Sequence, residues 1–244
     1  MNLWSSTVAA GAVALASQAA ATTISITEFS AANLGSATSD LSNVVTEDFE
    51  MLGGEREIAP NTSLASTTVG SFTTLGGTGT GGSRIGTGTN VAIRDGNVYG
   101  RTNTSGGIGD QYFLDSNDTH GIRWNASSSL GLFNTLVFSL MDGSEFSYLR
   151  VIADGVTEEQ RVGGRLANGN TSLVEISLDR NVSSLVVELS NFTSFGGNVS
   201  ARNDGFSIDS VSVGIAPVPL PAGLPLLAAG IGAFAVLRRK QRKS

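Results

Sequence analysis

The sequence has no cysteine and a single histidine, His120. The first absence excludes disulfides, thiolate nucleophiles and cysteine-ligated metals. The second excludes His-pair zinc sites and makes any Ser-His-Asp apparatus depend on one residue. Proline is scarce and localised, with four of the five prolines at positions 217, 219, 221 and 225. Lysine occurs only at 240 and 243. Between Glu28 and Asp209, ten arginines face all 21 acidic residues, a balance of −11 in a chain of formal net charge −6. Such a field repels nucleic acid, so none is expected as a partner. The opposite charge, Arg238, Arg239, Lys240, Arg242 and Lys243, is confined to the last seven residues and reads as a separate device.

Both ends carry targeting patterns. Residues 1–21, MNLWSSTVAAGAVALASQAAA, are uncharged and apolar and finish in small residues. That is the pattern of a secretory signal cut after Ala21, although no Lys or Arg precedes the apolar region. At the other end, Leu220–Leu237 is 18 residues without a charge, about 27 Å as a helix and barely enough to cross a bilayer. The basic block after it would be held on the cytoplasmic side, leaving the acidic region outside. Proline is tolerated in a first helical turn and disrupts an interior, so any helix starts after Pro221 or Pro225 and the stretch before it stays extended.

This succession of an extended proline motif, Val218-Pro219-Leu220-Pro221-Ala222, an apolar stretch and an Arg-rich end resembles the PEP-CTERM class of bacterial sorting signals in its VPLPA variant. The resemblance covers Val218 to Ser244 and combines three features of different chemistry in the required order. It implies processing by an exosortase, a membrane-embedded cysteine protease that cuts at the motif. It also implies an inner-membrane intermediate and delivery to the cell surface or extracellular matrix, with extracellular polysaccharide as a partner. The motif residues would be substrate positions, not catalytic ones. The expected organisation is a signal peptide over 1–21, one domain over 22–216 and a sorting signal over 217–244.

The middle region consists of short β-type runs separated by Gly, Asn, Asp and Ser. Leu173, Val174, Ile176 and Leu178, and again Phe206, Ile208, Val211 and Val213, alternate with polar residues at near period two. Asp95-Gly96 between NVAIR and NVYG is a hairpin signal, and no stretch shows capped helical periodicity. The expectation is an all-β antiparallel sandwich of jelly-roll type. In LGGTGTGGSRIGTGTN, Gly77, Gly79 and Gly82 formally match a phosphate-loop spacing. More Gly and Thr follow where that motif needs a helix, so the stretch reads as a loop.

Candidate chemistry is sparse. His120 lacks a Ser in a nucleophile-elbow context and reads as a sheet residue. Glu47 and Glu50 in VTEDFE could in principle supply the two carboxylates of glycoside cleavage, which makes a surface glycan hydrolase the alternative in an otherwise non-enzymatic reading. Clustered hard oxygens, Asp115, Asn117 and Asp118, with Asp204 and Asp209, suit a structural calcium ion. Tyr112, Trp124 and Tyr148 are the candidates for a sugar-stacking platform. Eight N-x-S/T sequons would matter only in a eukaryotic glycoprotein. A plain single-span type I membrane-anchored adhesin is the remaining alternative.

Overall fold

In the computed structural model, which describes residues 22–58, 64, 67–77, 84–107, 109–117, 119–142, 148–161, 169–190, 205–217 and 231, the alternating runs form strands in two antiparallel sheets. The chain runs β1 (Thr22–Glu28), α1 (Ala31–Ser39), β2 (Ser42–Glu47), β3 (Arg56–Glu57), β4 (Gly70–Thr74), β5 (Ala92–Arg94), β6 (Phe113–Asp115) and β7 (Gly121–Ser127). It continues β8 (Phe133–Met141), β9 (Tyr148–Ala153), β10 (Val156–Arg161), β11 (Thr171–Val182), β12 (Ser184–Ser190) and β13 (Ser207–Ile215). One sheet has the order β1-β11-β8-β13-β6-β5-β3, with β2 also pairing β13, and the other the order β10-β9-β12-β7-β4. From β6 onward the chain crosses between the sheets at every step except the β9–β10 hairpin. The all-β antiparallel sandwich expected from the alternation is present.

The core lies between the sheets. Trp124 of β7 stacks on Phe72 of β4, with centroids 5.5 Å apart, and meets Phe138 of β8 edge-on at 6.0 Å. The Trp124 indole N–H donates to Val69 O at 2.9 Å, so its polar tip is satisfied inside the core. On β8, Leu136, Phe138 and Leu140 join this core, and on β13 Phe206, Ile208, Val211 and Val213 do so. The step of three from Ile208 to Val211 breaks strict alternation, and a β-bulge makes it possible. Asp209 pairs with Ser139 while Ser212 pairs with Val137, so β13 carries one extra residue at Ser210, whose φ is +53°. The bulge keeps both apolar pairs facing inward.

The other face of β8 and β13 is also buried, since every residue of β8 and all but the last of β13 are inaccessible. The segment from Val98 to Tyr112 covers part of this face and fills it with polar groups.

Two local expectations are corrected. A helix does form, at Ala31–Ser39; Ser30 caps it by accepting the Asn33 N–H, but no helical residue is buried, so no apolar stripe announced it. Asp95-Gly96 does not close a hairpin: β5 pairs with β3 and β6, and the chain instead turns tightly between Val98 and Arg101 with Tyr99 at φ +53°. The two-residue hairpin is Asp154-Gly155, with φ of +49° and +79°, joining β9 to β10.

Candidate functional site

A sealed cluster of ionisable groups lies on the outer face of β6, β8 and β13. Arg101, 1% exposed, donates to Asp115 at 2.8 Å, to Asp142 at 3.4 Å and to Gly205 O at 2.7 Å. Asp115 also accepts from the Ser207 hydroxyl at 2.6 Å and from the Asn117 N–H at 2.6 Å. One strand position further along, the Asp209 Oδ2 accepts the Thr104 N–H, the Thr104 hydroxyl and the Ser105 N–H at 2.7, 3.1 and 3.2 Å. Its Oδ1 is buried without a hydrogen-bond partner. Burial pushes the Asp209 carboxyl up to about 7, against the downward pull of the Thr104, Ser210 and Ser105 N–H groups and the Thr104 hydroxyl. A buried guanidinium held by two carboxylates and a carbonyl has its donors committed. The arrangement clamps Arg101, Thr104 and Ser105 to the sheet.

Of the residues expected to hold calcium, the three described ones, Asp115, Asn117 and Asp209, are engaged with other partners. Asp115 faces the Arg101 guanidinium where a cation would have to sit, and the Asn117 carboxamide is spent on the backbone of Ile85 and Asn90. Asp209 points instead at Thr104 and Ser105; Asp118 and Asp204 lie outside the described residues. Among the described residues no three His, Cys, Asp or Glu side chains group as metal ligands.

Trp124 is corrected from sugar platform to core, being fully buried. Tyr112 packs half-buried against that core, and Tyr148 is half-buried at the start of β9. Tyr112 directly precedes β6 of one sheet, and Tyr148 opens β9 of the other. Val218, Pro219, Leu220, Pro221 and Ala222 lie outside the described residues, as do Arg238, Arg239, Lys240, Arg242, Lys243 and residues 1–21. Among the described residues no helix is long and apolar enough to cross a membrane.

The acidic residues considered for catalysis fasten loops. Glu47 accepts the Phe49 N–H at 2.9 Å and the Thr68 N–H at 3.3 Å, and burial raises its pKa. Glu50 accepts the Gln111 and Tyr112 N–H groups at 2.8 and 2.7 Å. Glu57 does the same for Thr87, Thr89 and Asn90; burial alone would raise its pKa, but these hydrogen bonds together lower it. His120 lays its ring over Gly77, and its backbone N–H donates to Gly76 O. On the outer face of the other sheet, Arg123, Glu188, Arg150 and Glu159 alternate in sign across β7, β12, β9 and β10 and pair with their neighbours.

No family model and no curated protein matches the chain. A shallow groove of about 590 Å³ runs between α1 and the β1–β11 edge, reaching Ala216 and Pro217. It is lined by Thr, Ser, Ala and Leu with the carboxylates of Asp40 and Glu175 at its walls, without a converging set of catalytic groups.

Proposed function

We propose that the chain is a secreted bacterial surface or matrix protein, a structural β-sandwich of jelly-roll type delivered by its C-terminal sorting signal. Its fold type is supported by the facing strand orders β6-β13-β8-β11 and β7-β12-β9-β10 and by the alternation of successive strands between them. The address rests on the resemblance of Val218 to Ser244 to the PEP-CTERM class. The observation that carries the structural role is the sealed cluster. A gathering of charge among the described residues is used internally, with Arg101 and Asp115 almost wholly buried, instead of lining a cleft.

A structural role is favoured over glycan binding because the one tryptophan of the domain, Trp124, is committed to the core. It is favoured over glycan hydrolysis because Glu47 and Glu50 already serve as backbone acceptors. Mass spectrometry of protein recovered from the cell surface tests the address. The expected species lacks Leu226 to Ser244, and recovery of the intact Arg-rich tail would make the segment a plain single-span anchor. Turnover of soluble glycans by the purified protein, abolished by Glu47→Gln or Glu50→Gln, would replace the structural role with the hydrolase alternative.

A further inference from the structure

We propose that the end of the sandwich carrying Leu130, Leu132 and Val156 rests in the headgroup–acyl boundary of the bilayer entered by the Leu220–Leu237 run. The inference builds on the reading of that run as a membrane segment and adds a second, apolar contact made by the folded domain. Leu130, Leu132 and Val156 are 57%, 52% and 44% exposed. Leu130 sits in the β7–β8 turn, closed by the Ser128–Gly131 bridge, and Leu132 directly follows it. Val156 opens β10 just past the β9–β10 turn.

Strand register places all three at one end of the molecule. Ser184 at the start of β12 pairs with Ser127 at the end of β7, and Val186 pairs with Ile152 near the end of β9. Val182 at the end of β11 pairs with Phe133, the residue after Leu132.

The outgoing chain leaves from this same end. Asn134, two residues from Leu132, accepts the Ala216 N–H at 2.7 Å and donates to Ala216 O at 2.9 Å, a two-point clamp just before the proline motif. From Ala216 to Leu220, where the apolar run begins, four residues of fully extended chain reach at most about 14 Å. A bilayer that takes up Leu220 therefore lies within that distance of the clamp, and the exposed leucines beside it face lipid in preference to bulk water. Of the nearby charges, Asp154, Asp179 and Arg180 are tied together by Arg180 ion pairs of 3.1 and 3.4 Å, and Asp40, which lines one groove with Ala216, adds to the negative excess. The contact is therefore apolar and does not depend on anionic lipid.

The absence of cysteine makes the test direct. Full-length protein is reconstituted in phosphatidylcholine vesicles as single-cysteine variants Leu130→Cys, Leu132→Cys, Tyr99→Cys and Leu227→Cys, each carrying an environment-sensitive fluorophore. Tyr99, 73% exposed, lies beside Arg101 at the opposite end. With a spin label placed high on the lipid chains, emission from positions 130 and 132 should fall about twofold or more, as at 227, while position 99 is unaffected. Quenching at 227 without quenching at 130 and 132 overturns the proposal and leaves the membrane segment standing. Absence of quenching at all four positions removes the membrane segment and the proposal with it. A blue shift at 130 without lipid quenching, accompanied by energy transfer between copies, also overturns it, by assigning the leucines to a second copy of the chain.

Discussion

Burial holds the Asp209 carboxyl at about 7 in the folded chain, against 3.8 for an ordinary aspartate. The folded state therefore binds that proton more tightly than the unfolded state. The stability this contributes is fully present below pH 3.8, shrinks as pH rises through the window and is lost once pH passes about 7. Its size is on the order of 4 kcal/mol. Asp209→Asn, which keeps an acceptor for Thr104 and carries no charge, should match the parent in urea unfolding near pH 4 and exceed it near pH 8. An unchanged slope in the variant would assign the pH dependence to another group, with Glu47, also raised by burial, the first to examine. Arg101 poses the converse problem. Removing it strands two buried carboxylates, so Arg101→Ala should lose about 3–5 kcal/mol. The double variant Arg101→Ala/Asp115→Ala should lose less than the sum of the singles, and a double-mutant cycle in urea measures the difference.

At the scale of elements, the sequence was most legible where one face is buried and the other wet. β7 and β9 alternate cleanly, with Ile122, Trp124 and Ala126 and then Leu149, Val151 and Ala153 inward. Even the β13 bulge left a trace, since the apolar pair Phe206 and Ile208 is followed by Val211 and Val213 after a step of three. β10, VTEEQR, was not legible, because an edge strand of polar residues carries no alternation; nor was α1, whose nine residues bury none of their number. The Arg101 cluster was hidden for a different reason: its members lie at 101, 115, 142 and 209, and only the strand order β8-β13-β6 brings them to one face. Asp115 was read as a calcium ligand because its neighbours in sequence are polar, while its actual partner lies 14 residues upstream. Strand approach also sets a testable contrast between two glycines. At Gly121, φ is +145° and a Cβ would stand 2.0 Å from Leu189 O of the paired strand β12, whereas at Gly96, φ +66°, it would meet nothing. Gly121→Ala should cost about 3 kcal/mol by forcing β7 from β12, and Gly96→Ala only about 1 kcal/mol of backbone strain. Equal melting-temperature shifts for the two would show that β7 and β12 can separate without penalty.

For the whole molecule, both ends of the domain point the same way. Thr22 begins β1 opposite Leu178, toward the end of β11, and Ala216 is clamped to Asn134 at the start of β8, so the chain enters and leaves at the apolar-tipped end. On the proposed reading, the Leu220–Leu237 run begins four residues after the Ala216 clamp, too close for a free tether, and the conformation of the proline motif would decide what a membrane protease could reach. Prolines at 217, 219 and 221 forbid both a continued β ladder, for want of N–H donors, and an upstream helix. Replacing Pro219 and Pro221 together with alanine removes about 3 kcal/mol of helix penalty per residue and lets a helix starting near Leu224 propagate back toward the domain. The expected outcome is a chain that is exported but uncut, accumulating at full length in the membrane fraction with RRKQRKS on the cytoplasmic side. Leu226→Ala/Leu227→Ala keeps the motif and only lowers the hydrophobicity of the span, so cleavage should suffer less. Both are read by mass on immunoblot and by protease protection of the tail. Normal surface delivery of the double-proline variant would show that the motif is incidental and that Leu220–Leu237 is simply an anchor.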